Sequence, residues 1–197
     1  MNCIIYLVRS SEKDVEEFNK SLSLLEENLL KYTTADVLVF VEESFEKYKS
    51  KVETNLELLY QTIEFNLPDY PSEILDNIPE FYPHPTHGNG PIEWGHPGFT
   101  MGYRHMCRLF SGEIYKFPVV QEYEYYIRLD TDSFIHTPLG YDIFKWAKDN
   151  ECWYGYVAPA VQQDNKKVVE GLWDFVNSIY PNDIPDRWMY YTNWELG

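Results

Sequence analysis

The sequence lacks several features that would assign it to a specialised class of protein. It has no apolar run of about twenty residues, no signal peptide and no repeated or low-complexity segment. Its three cysteines, Cys3, Cys107 and Cys152, show neither a CxxC spacing nor a paired pattern, so they predict neither a zinc site nor a disulfide framework. These absences predict a soluble globular protein with no membrane segment in the chain.

Positive charge is also scarce. The chain has 16 Lys and Arg residues against 32 Asp and Glu residues, which gives a net charge of −16 at pH 7. No basic face of such a protein could neutralise a phosphate backbone, so we exclude a nucleic-acid partner. A diphosphate ligand would need a metal ion and nearby arginines to overcome the same negative field.

The order of the apolar segments predicts an α/β protein. Residues 3–8 and 37–41 are continuous apolar runs, as expected of strands buried on both faces of a parallel sheet. Between them, apolar side chains recur at helical spacing over residues 12–32, and Ser11 with Asp14 forms an N-cap pattern. Strand, helix and strand in this order predict a right-handed βαβ unit.

The remaining elements follow from the same patterns, within a single domain expected to span residues 1–197. They are a helix over residues 42–60, a strand over 61–65, a helix over 99–110 with Met101, Met106 and Leu109 inward, a helix over 142–148, a strand over 153–157 and a helix over 168–179.

Residues 66–98 are predicted to form a long loop within the domain. Seven prolines and four glycines in this span rule out regular structure over most of it. A loop of this length in a compact domain is usually functional or disordered. We expect its aromatic residues, such as Tyr82 and Trp94, to stack on a sugar acceptor or to close as a lid. Its three histidines are irregularly spaced, which favours solvated side chains over metal ligands.

The most distinctive stretch is residues 125–132, where a strand pattern ends in two acids. Aromatic and β-branched residues alternate up to Leu129, and Asp130 and Asp132 follow where the strand ends. In α/β proteins ligands bind at this carboxyl edge, where two carboxylates can share a divalent cation that holds a diphosphate. The alternative is a strand cap and turn, in which aspartate is common.

Four segments, taken together, resemble one known family. They are Tyr103-Arg-His-Met-Cys-Arg108, Phe110-Ser-Gly112, the 125–132 stretch and Tyr191-Thr-Asn-Trp-Glu195. In glycosyltransferase family 15, the fungal α-1,2-mannosyltransferases of the Golgi, a Tyr-Arg-His-Met-Cys-Arg helix leads through a Ser-Gly turn and a Tyr-Tyr-Trp-Arg strand into an acidic triplet. A Trp-Ser-Asn-Phe-Glu-Ile segment follows later in the family. The resemblance covers essentially the whole chain in order.

This resemblance implies a GT-A fold, the Rossmann-like fold of nucleotide-diphospho-sugar transferases, with a mixed, mostly parallel sheet flanked by helices. It implies a retaining, metal-dependent transfer of mannose from GDP-mannose to a mannose-containing glycan or glycoprotein. The implied cofactor is Mn²⁺ (or Mg²⁺), held by Asp130 and Asp132. The family's triplet is usually Glu-Pro-Asp, and Asp130-Thr-Asp132 keeps two carboxylates at the same spacing.

The resemblance also supports a set of donor-binding residues. Arg9 ends the first strand, where its guanidinium could pair with a diphosphate; an exposed surface arginine is the alternative. Arg104 and Arg108 fall on one helical face, which could bring two cations to an anionic donor, or could form ion pairs with the abundant acids. Tyr103 and Asp130 complete the expected donor site.

The family's Asn-Phe-Glu segment supplies the carboxylate suspected of acting at the anomeric carbon, and here that residue is Glu195. From the sequence alone, an acid two residues from the end would be a frayed surface residue. Retaining transfer needs either a carboxylate nucleophile or a same-face attack beside the departing diphosphate. Asn193 and Trp194, beside this glutamate, are the further residues expected to contact the acceptor.

Relative to the family, the chain stops shortly after Glu195 and lacks a later segment whose histidine completes the metal site. The resemblance therefore predicts a catalytic domain incomplete at its C-terminal end, unless a loop histidine or His136 substitutes. The implied compartment is the Golgi lumen, although a chain without its own signal or anchor leaves a cytoplasmic protein open. The alternative functions are a catalytically silent nucleotide- or sugar-binding domain and a GT-A transferase that uses another nucleotide sugar.

Overall fold

The computed structural model describes two compact units of the chain. The described residues are 1–66, 71–75, 81–82, 99–155 and 171–179. The first unit comprises Met1–Ile78 with Gly102–Trp153, and the second comprises Pro79–Met101 with Tyr154–Gly197. The single domain over 1–197 stays a prediction.

The first unit contains a four-stranded sheet in the order β3-β2-β1-β6, in which every neighbouring pair is parallel. Its strands are β1 (Asn2–Val8), β2 (Asp36–Val41), β3 (Leu58–Thr62) and β6 (Tyr125–Leu129). The predicted parallel α/β architecture is confirmed.

The predicted helix over residues 42–60 is wrong. A 3-10 helix occupies Glu43–Lys51, and β3 begins within the same span, three residues before the predicted strand at 61–65. Phe45 is the buried residue of the 3-10 helix, so a longer α-helix would have had little apolar surface to place on the sheet. Leu56 and Leu58, which pack against the core two residues apart, instead follow the period of extended chain.

The helix predicted over residues 12–32 is present but changes type. An α-helix, α1, runs over Glu12–Leu25 and continues as a π-helical turn over Glu26–Leu30. Ser11 caps α1 as predicted, because its side-chain oxygen accepts a hydrogen bond from the Asp14 backbone N–H at 3.1 Å.

The sheet carries a core on each face. On one face the sheet packs against α1, and Tyr6, Phe18, Leu22 and Leu25 are fully buried there. The other face packs against α3 (Met101–Ser111), a 3-10 helix (Glu113–Lys116) and α4 (Pro118–Gln121). Because both faces are covered, β1 and β2 are apolar after their first residues, Asn2 and Asp36, which explains the continuous runs in the sequence.

Two further helices of the first unit are short. Helix α2 covers Ser72–Leu75, and α5 covers Ile143–Asp149 with Asp142 as its N-cap, close to the helix predicted over 142–148. On α3, Leu109 is buried as predicted, whereas Met101 and Met106 are only partly buried.

The second unit has a two-stranded antiparallel sheet formed by β4 (Phe81–Tyr82) and β5 (Phe99–Thr100). Because β5 takes the first two residues of the helix predicted over 99–110, α3 starts at Met101. Helix α6 covers Leu172–Ile179 and ends where the helix predicted over 168–179 ends. Residues 153–155 do not form the predicted strand, and 156–157 lie outside the described residues. None of the helices in the described ranges is long and apolar enough to cross a membrane.

We expect Leu22→Ala to lower the free energy of unfolding by about 2–5 kcal/mol, because it removes a fully buried side chain from the α1 face of the core. Urea denaturation followed by far-UV circular dichroism measures the change. Glu16→Ala, an exposed position of the same helix, is the matched control and should change stability by less than about 0.5 kcal/mol. Equal losses in the two variants would contradict the assignment of the core.

Candidate functional site at the carboxyl edge of the sheet

The order of the strands across the sheet reverses at β1, although every strand runs in the same direction. The chain proceeds from β1 to β2 and β3 on one side, and later returns to pair β6 with the other side of β1. Arg9 follows the last residue of β1, and Asp130 follows Leu129, which pairs with Tyr6. Both side chains therefore start from the carboxyl edge at the switch point, where open α/β sheets bind ligands.

Residues Asp130–Ser133 form a closed turn, which we call the acidic turn. The Asp130 backbone N–H donates to Ser133 Oγ at 3.0 Å, and the Ser133 N–H donates to the Asp130 carbonyl at 2.9 Å. Thr131 is 8% exposed, whereas Asp130 and Asp132 are exposed. The middle residue thus anchors the turn in the protein, and the two carboxylates are accessible to a ligand.

Arg128 is a residue of this site that the sequence interpretation missed. Its Nη2 lies 2.8 Å from Asp130 Oδ1, and its guanidinium lies 4.0 Å from the centre of the Phe110 ring of α3. Met106 Sδ, also on α3, is 3.7 Å from the same Nη2. The sequence signal that could have identified Arg128 is its two-residue spacing from Asp130, because residues two apart in an extended chain lie on the same side.

Arg9 lies where the sequence predicted it. Its Nε donates to Asp14 Oδ1 at 2.9 Å, and Asp14 is buried in the first turn of α1. The Arg9 side chain nevertheless remains 75% exposed. Because a guanidinium has five N–H donors, one bond to Asp14 orients the group and leaves donors for an anion.

The arginines of α3 lie on the face of the sheet opposite α1, the face on which Arg128 contacts Phe110. Arg108 Nη2 donates to the Asn66 carbonyl at 2.5 Å, and Arg108 Nε lies 3.2 Å from Glu113 Oε1, without hydrogen-bond geometry. Arg108 thus forms the ion pair that the sequence left open as its alternative role. Burial is the main cause that lowers the pKa of His105, and the nearby charges of Arg108 and Arg104 add to it.

Tyr103, the remaining residue predicted for the donor site on α3, is 45% exposed.

Four of the chain's five arginines, at positions 9, 104, 108 and 128, lie on β1, α3 and β6 or directly after these elements. In a chain with a net charge of −16, this concentration provides the positive groups that an anionic ligand requires.

Polar side chains from the α1 side hold the backbone that follows β6. Ser21 Oγ donates to the Ser133 carbonyl at 2.8 Å, and Asn28 Nδ2 donates to the Ile135 carbonyl at 2.7 Å. The backbone carbonyl of Asn28 also accepts from Leu139 N–H at 2.9 Å. The residues after β6 are therefore fixed to α1 and its π-helical turn by hydrogen bonds from two buried polar residues.

A further hydrogen bond between the end of the α1 region and the chain after β6 joins Thr33 to Asp142. Thr33 Oγ1 donates to Asp142 Oδ1 at 2.6 Å, and the same carboxylate accepts from the backbone N–H groups of Phe144 and Lys145, each at 3.1 Å. The Thr33 hydrogen bond is the main cause that lowers the pKa of Asp142, and the two backbone N–H groups add to it.

The acidic turn has the chemistry that a hard divalent cation requires. Carboxylate oxygens are the preferred protein ligands of Mg²⁺ and suit Mn²⁺, and Asp130 and Asp132 supply two carboxylates at an exposed position. In the described ranges, no three His, Cys, Asp or Glu side chains converge, so His136 does not complete a three-ligand site there. The turn therefore fits a cation whose remaining positions are filled by other ligands, such as phosphate oxygens.

Several predicted site residues lie outside the described part of the chain. They are Trp94, Asn193, Trp194 and Glu195. Tyr82 is described only as a backbone member of β4. Their roles stay predictions.

A model of the family described as glycolipid 2-alpha-mannosyltransferase matches residues 1–189. The chain belongs to this family. The resemblance found in its sequence motifs, to glycosyltransferase family 15, is thereby confirmed.

Curated members of the family share local sequence similarity with the chain. Probable mannosyltransferase KTR3 of Saccharomyces cerevisiae is 32% identical over 117 residues, which cover 51% of this chain and 29% of the yeast protein. Glycolipid 2-alpha-mannosyltransferase 1 of Candida albicans is 36% identical over 77 residues, or 39% of this chain and 17% of that relative. These matches span less than a third of either relative.

Solved structures confirm the GT-A fold. Mannosyltransferase Ktr4p from Saccharomyces cerevisiae in complex with GDP matches with a TM-score of 0.69 and 22% identity, covering 99% of this chain and 51% of Ktr4p. Core-mannan synthase A from Aspergillus fumigatus, in an Mn/GDP form, matches with a TM-score of 0.68 and 21% identity, covering 94% of this chain and 49% of that protein. The chain thus spans about half the length of these structures.

We expect Thr33→Val to reduce stability by about 1 kcal/mol at neutral pH, because Asp142 loses a hydrogen bond to its ionised form. The folded-state pKa of Asp142 lies below its ordinary value of 3.8, so the contribution is complete above that value and is lost as pH falls through the folded-state pKa. The difference in unfolding free energy between wild type and variant should therefore shrink below about pH 4.

Urea titrations of both proteins between pH 7 and pH 3 measure this difference. Ser178→Ala on α6, whose hydroxyl bonds the uncharged Phe175 carbonyl, is the control, since its effect should not depend on acid. A Thr33→Val difference that stays constant or grows on acidification would contradict the assigned role of Asp142.

Proposed function

We propose that the chain carries the donor site of a retaining, metal-dependent α-1,2-mannosyltransferase, which moves mannose from GDP-mannose to a mannose-terminated glycan or glycoprotein. The observation that carries this proposal is the acidic turn at the topological switch point, in a member of this family. Arg128 is paired with the turn, and Arg9 follows the neighbouring strand at the same edge of the sheet. The names of the relatives and the GDP-bound neighbours support the sugar and the nucleotide.

The donor's diphosphate is the group that the described residues suit best. Asp130 and Asp132 would hold Mn²⁺ or Mg²⁺, which supplies electrostatic stabilisation to the departing diphosphate when it is bound. Arg9 and Arg128 supply charge-assisted hydrogen-bond donors, and Arg128 is already oriented by Asp130 and by the Phe110 ring. Tyr103, Arg104 and Arg108 would extend this positive surface along α3.

The chemical step is assigned to Glu195. Retention of the α configuration allows two routes, a glycosyl-enzyme intermediate on this carboxylate or a same-face attack of the acceptor hydroxyl beside the leaving GDP. In the first route, the carboxylate oxygen would form a bond to the anomeric carbon as the bond to the diphosphate breaks. The acceptor hydroxyl oxygen would then displace the carboxylate and give its proton to a phosphate oxygen of the released GDP. The family motif, and not a measured distance, carries this assignment.

The acceptor would be a mannose-containing glycan, with the Golgi lumen as the compartment. Aromatic rings stack on sugar faces, so Tyr82, Trp94 and Trp194 are the proposed contacts, together with the amide of Asn193. The relatives are named as mannosyltransferases, and one of them as a glycolipid 2-alpha-mannosyltransferase, which supports a mannosylated acceptor.

A second candidate function is a catalytically silent domain that binds a nucleotide sugar. It would use the same acidic turn and the same arginines to bind the nucleotide sugar, and it would lack only the transfer step. Calorimetry separates the two functions, because a silent domain would bind GDP with Mn²⁺ and would turn over no GDP-mannose with any acceptor.

We expect Asp132→Ala to reduce Mn²⁺-dependent turnover of GDP-mannose by about 100- to 1000-fold, because one of the two carboxylates is lost from the diphosphate site. GDP release in the presence of a mannoside acceptor, at a series of Mn²⁺ concentrations, measures the loss. Asp149→Asn on α5, which neutralises an exposed acid paired with Lys145, is the matched control and should retain full turnover. Unchanged turnover in Asp132→Ala, or equal wild-type turnover in excess chelator, would refute the metal site.

We expect Glu195→Gln to lower kcat by roughly 10,000-fold while leaving Mn²⁺-dependent GDP binding unchanged, because the carboxylate would act on the sugar and not on the nucleotide. Turnover and calorimetric GDP binding, measured on the same preparation, test the two halves of this expectation. Retained turnover would remove Glu195 from the chemistry, and lost GDP binding would make it a structural residue.

A further inference from the structure

We propose that Ser21, supported by Tyr6, is a positioning residue that fixes the acidic turn from beneath the sheet edge, and that it sets the affinity of the turn for a divalent cation. This inference rests on the proposed function, because it takes the acidic turn as the metal site. The observation behind it is a continuous series of hydrogen bonds that joins a core strand to the backbone of the acidic turn.

The series begins in the core of the first unit. Tyr6 lies on β1 with no exposed surface, and Ser21 lies on the inner side of α1 and is 1% exposed. Their hydroxyl oxygens are 2.8 Å apart, and Ser21 Oγ is 2.8 Å from the Ser133 carbonyl oxygen. A serine hydroxyl at this position is unusual in its surroundings, because Phe18, Leu22 and Leu25 occupy the same face of the helix.

The direction of donation follows from the number of hydrogens. Ser21 has one hydroxyl hydrogen, which it gives to the Ser133 carbonyl, since a carbonyl can only accept. The Tyr6 hydroxyl must therefore donate to Ser21 Oγ. Burial raises the pKa of Tyr6 to about 12, so this donor keeps its proton at every physiological pH.

Ser133 transmits this anchor to the first acidic residue. Its carbonyl is held by Ser21, its N–H donates to the Asp130 carbonyl, and its Oγ accepts from the Asp130 N–H. The backbone on both sides of Asp132 is thus fixed to a side chain that itself has no contact with solvent. The Arg128–Asp130 ion pair fixes only one carboxylate and, at 35% and 54% exposure, is a weaker restraint than the buried series.

A positioned pair of carboxylates binds a cation more tightly than a mobile pair, because the entropic cost of ordering the two side chains is met on folding and not on binding. Residues that orient metal ligands typically change metal affinity by about 10- to 100-fold when they are removed. We therefore expect Ser21→Ala to raise the Mn²⁺ dissociation constant by about 10-fold or more. Tyr6→Phe, which leaves the Ser21 to Ser133 bond in place, should have a smaller effect in the same direction.

The test is a calorimetric Mn²⁺ titration of the full chain in the presence of GDP, together with amide hydrogen exchange of the folded protein without metal. In Ser21→Ala we expect weaker Mn²⁺ binding and faster exchange at the Asp130 and Ser133 amides, because both lose the support of their turn. The matched control is Thr33→Val, which also breaks a buried hydroxyl bond between the end of the α1 region and the chain after β6. It should leave the Mn²⁺ affinity and these two amides unchanged.

The outcomes separate this inference from the proposed function. If wild type binds Mn²⁺ and Ser21→Ala binds it equally well, the positioning role fails and the metal site stands. If Ser21→Ala and Thr33→Val weaken Mn²⁺ binding to the same extent, the effect is one of general stability and the positioning role also fails. If wild type binds no Mn²⁺ with GDP, the proposed metal site fails and this inference fails with it.

Discussion

The parallel pairing of β1 with strands on both of its sides is the constraint on which the rest of the first unit depends. It joins the start of the chain to a segment more than a hundred residues later, through the Ile4↔Ile127 and Tyr6↔Leu129 pairs. Without this pairing, Arg9 and Asp130 would not start from the same edge of the sheet. The site is therefore a product of long-range topology and not of a local motif, and its geometry depends on the sheet core that keeps β1 dry on both faces.

The acidic turn is held from both faces of the sheet by different kinds of interaction. On the α3 side, Arg128 bridges the Phe110 ring and the Asp130 carboxylate, where solvent weakens the contact. On the α1 side, Ser21 and Asn28 use buried hydrogen bonds to backbone carbonyls. The exposed contact can exchange for a ligand, whereas the buried contacts cost too much to break during binding. This division leaves the carboxylates accessible and their backbone rigid.

The sequence allowed prediction of the elements with strong apolar periods, and of the residues that follow them. Strands β1, β2 and β6, helix α1, and the positions of Arg9, Asp130 and Asp132 all follow from such patterns. Strand β3 was predicted three residues too late, because its residues form an edge strand with little burial, so alternation in the sequence is weak. Ser21 was missed for a different reason, because a polar residue on an apolar helix face acquires its partner only through tertiary packing. Arg128 was missed although its two-residue spacing from Asp130 was a signal in the sequence.

The π-helical turn at Glu26–Leu30 bears on how the protein tolerates changes in chain length. A π turn accommodates one more residue than an α turn, and each residue of a helix accounts for roughly 100° of rotation. Because the turn already absorbs that extra residue, loss of one residue here would regularise the helix, and Asn28, which lies inside the turn, would lose its position opposite the carbonyl of Ile135. In this fold, therefore, a single-residue deletion in the π-helical turn would release the chain after β6 at Ile135 and leave the Ser21 contact with the acidic turn in place.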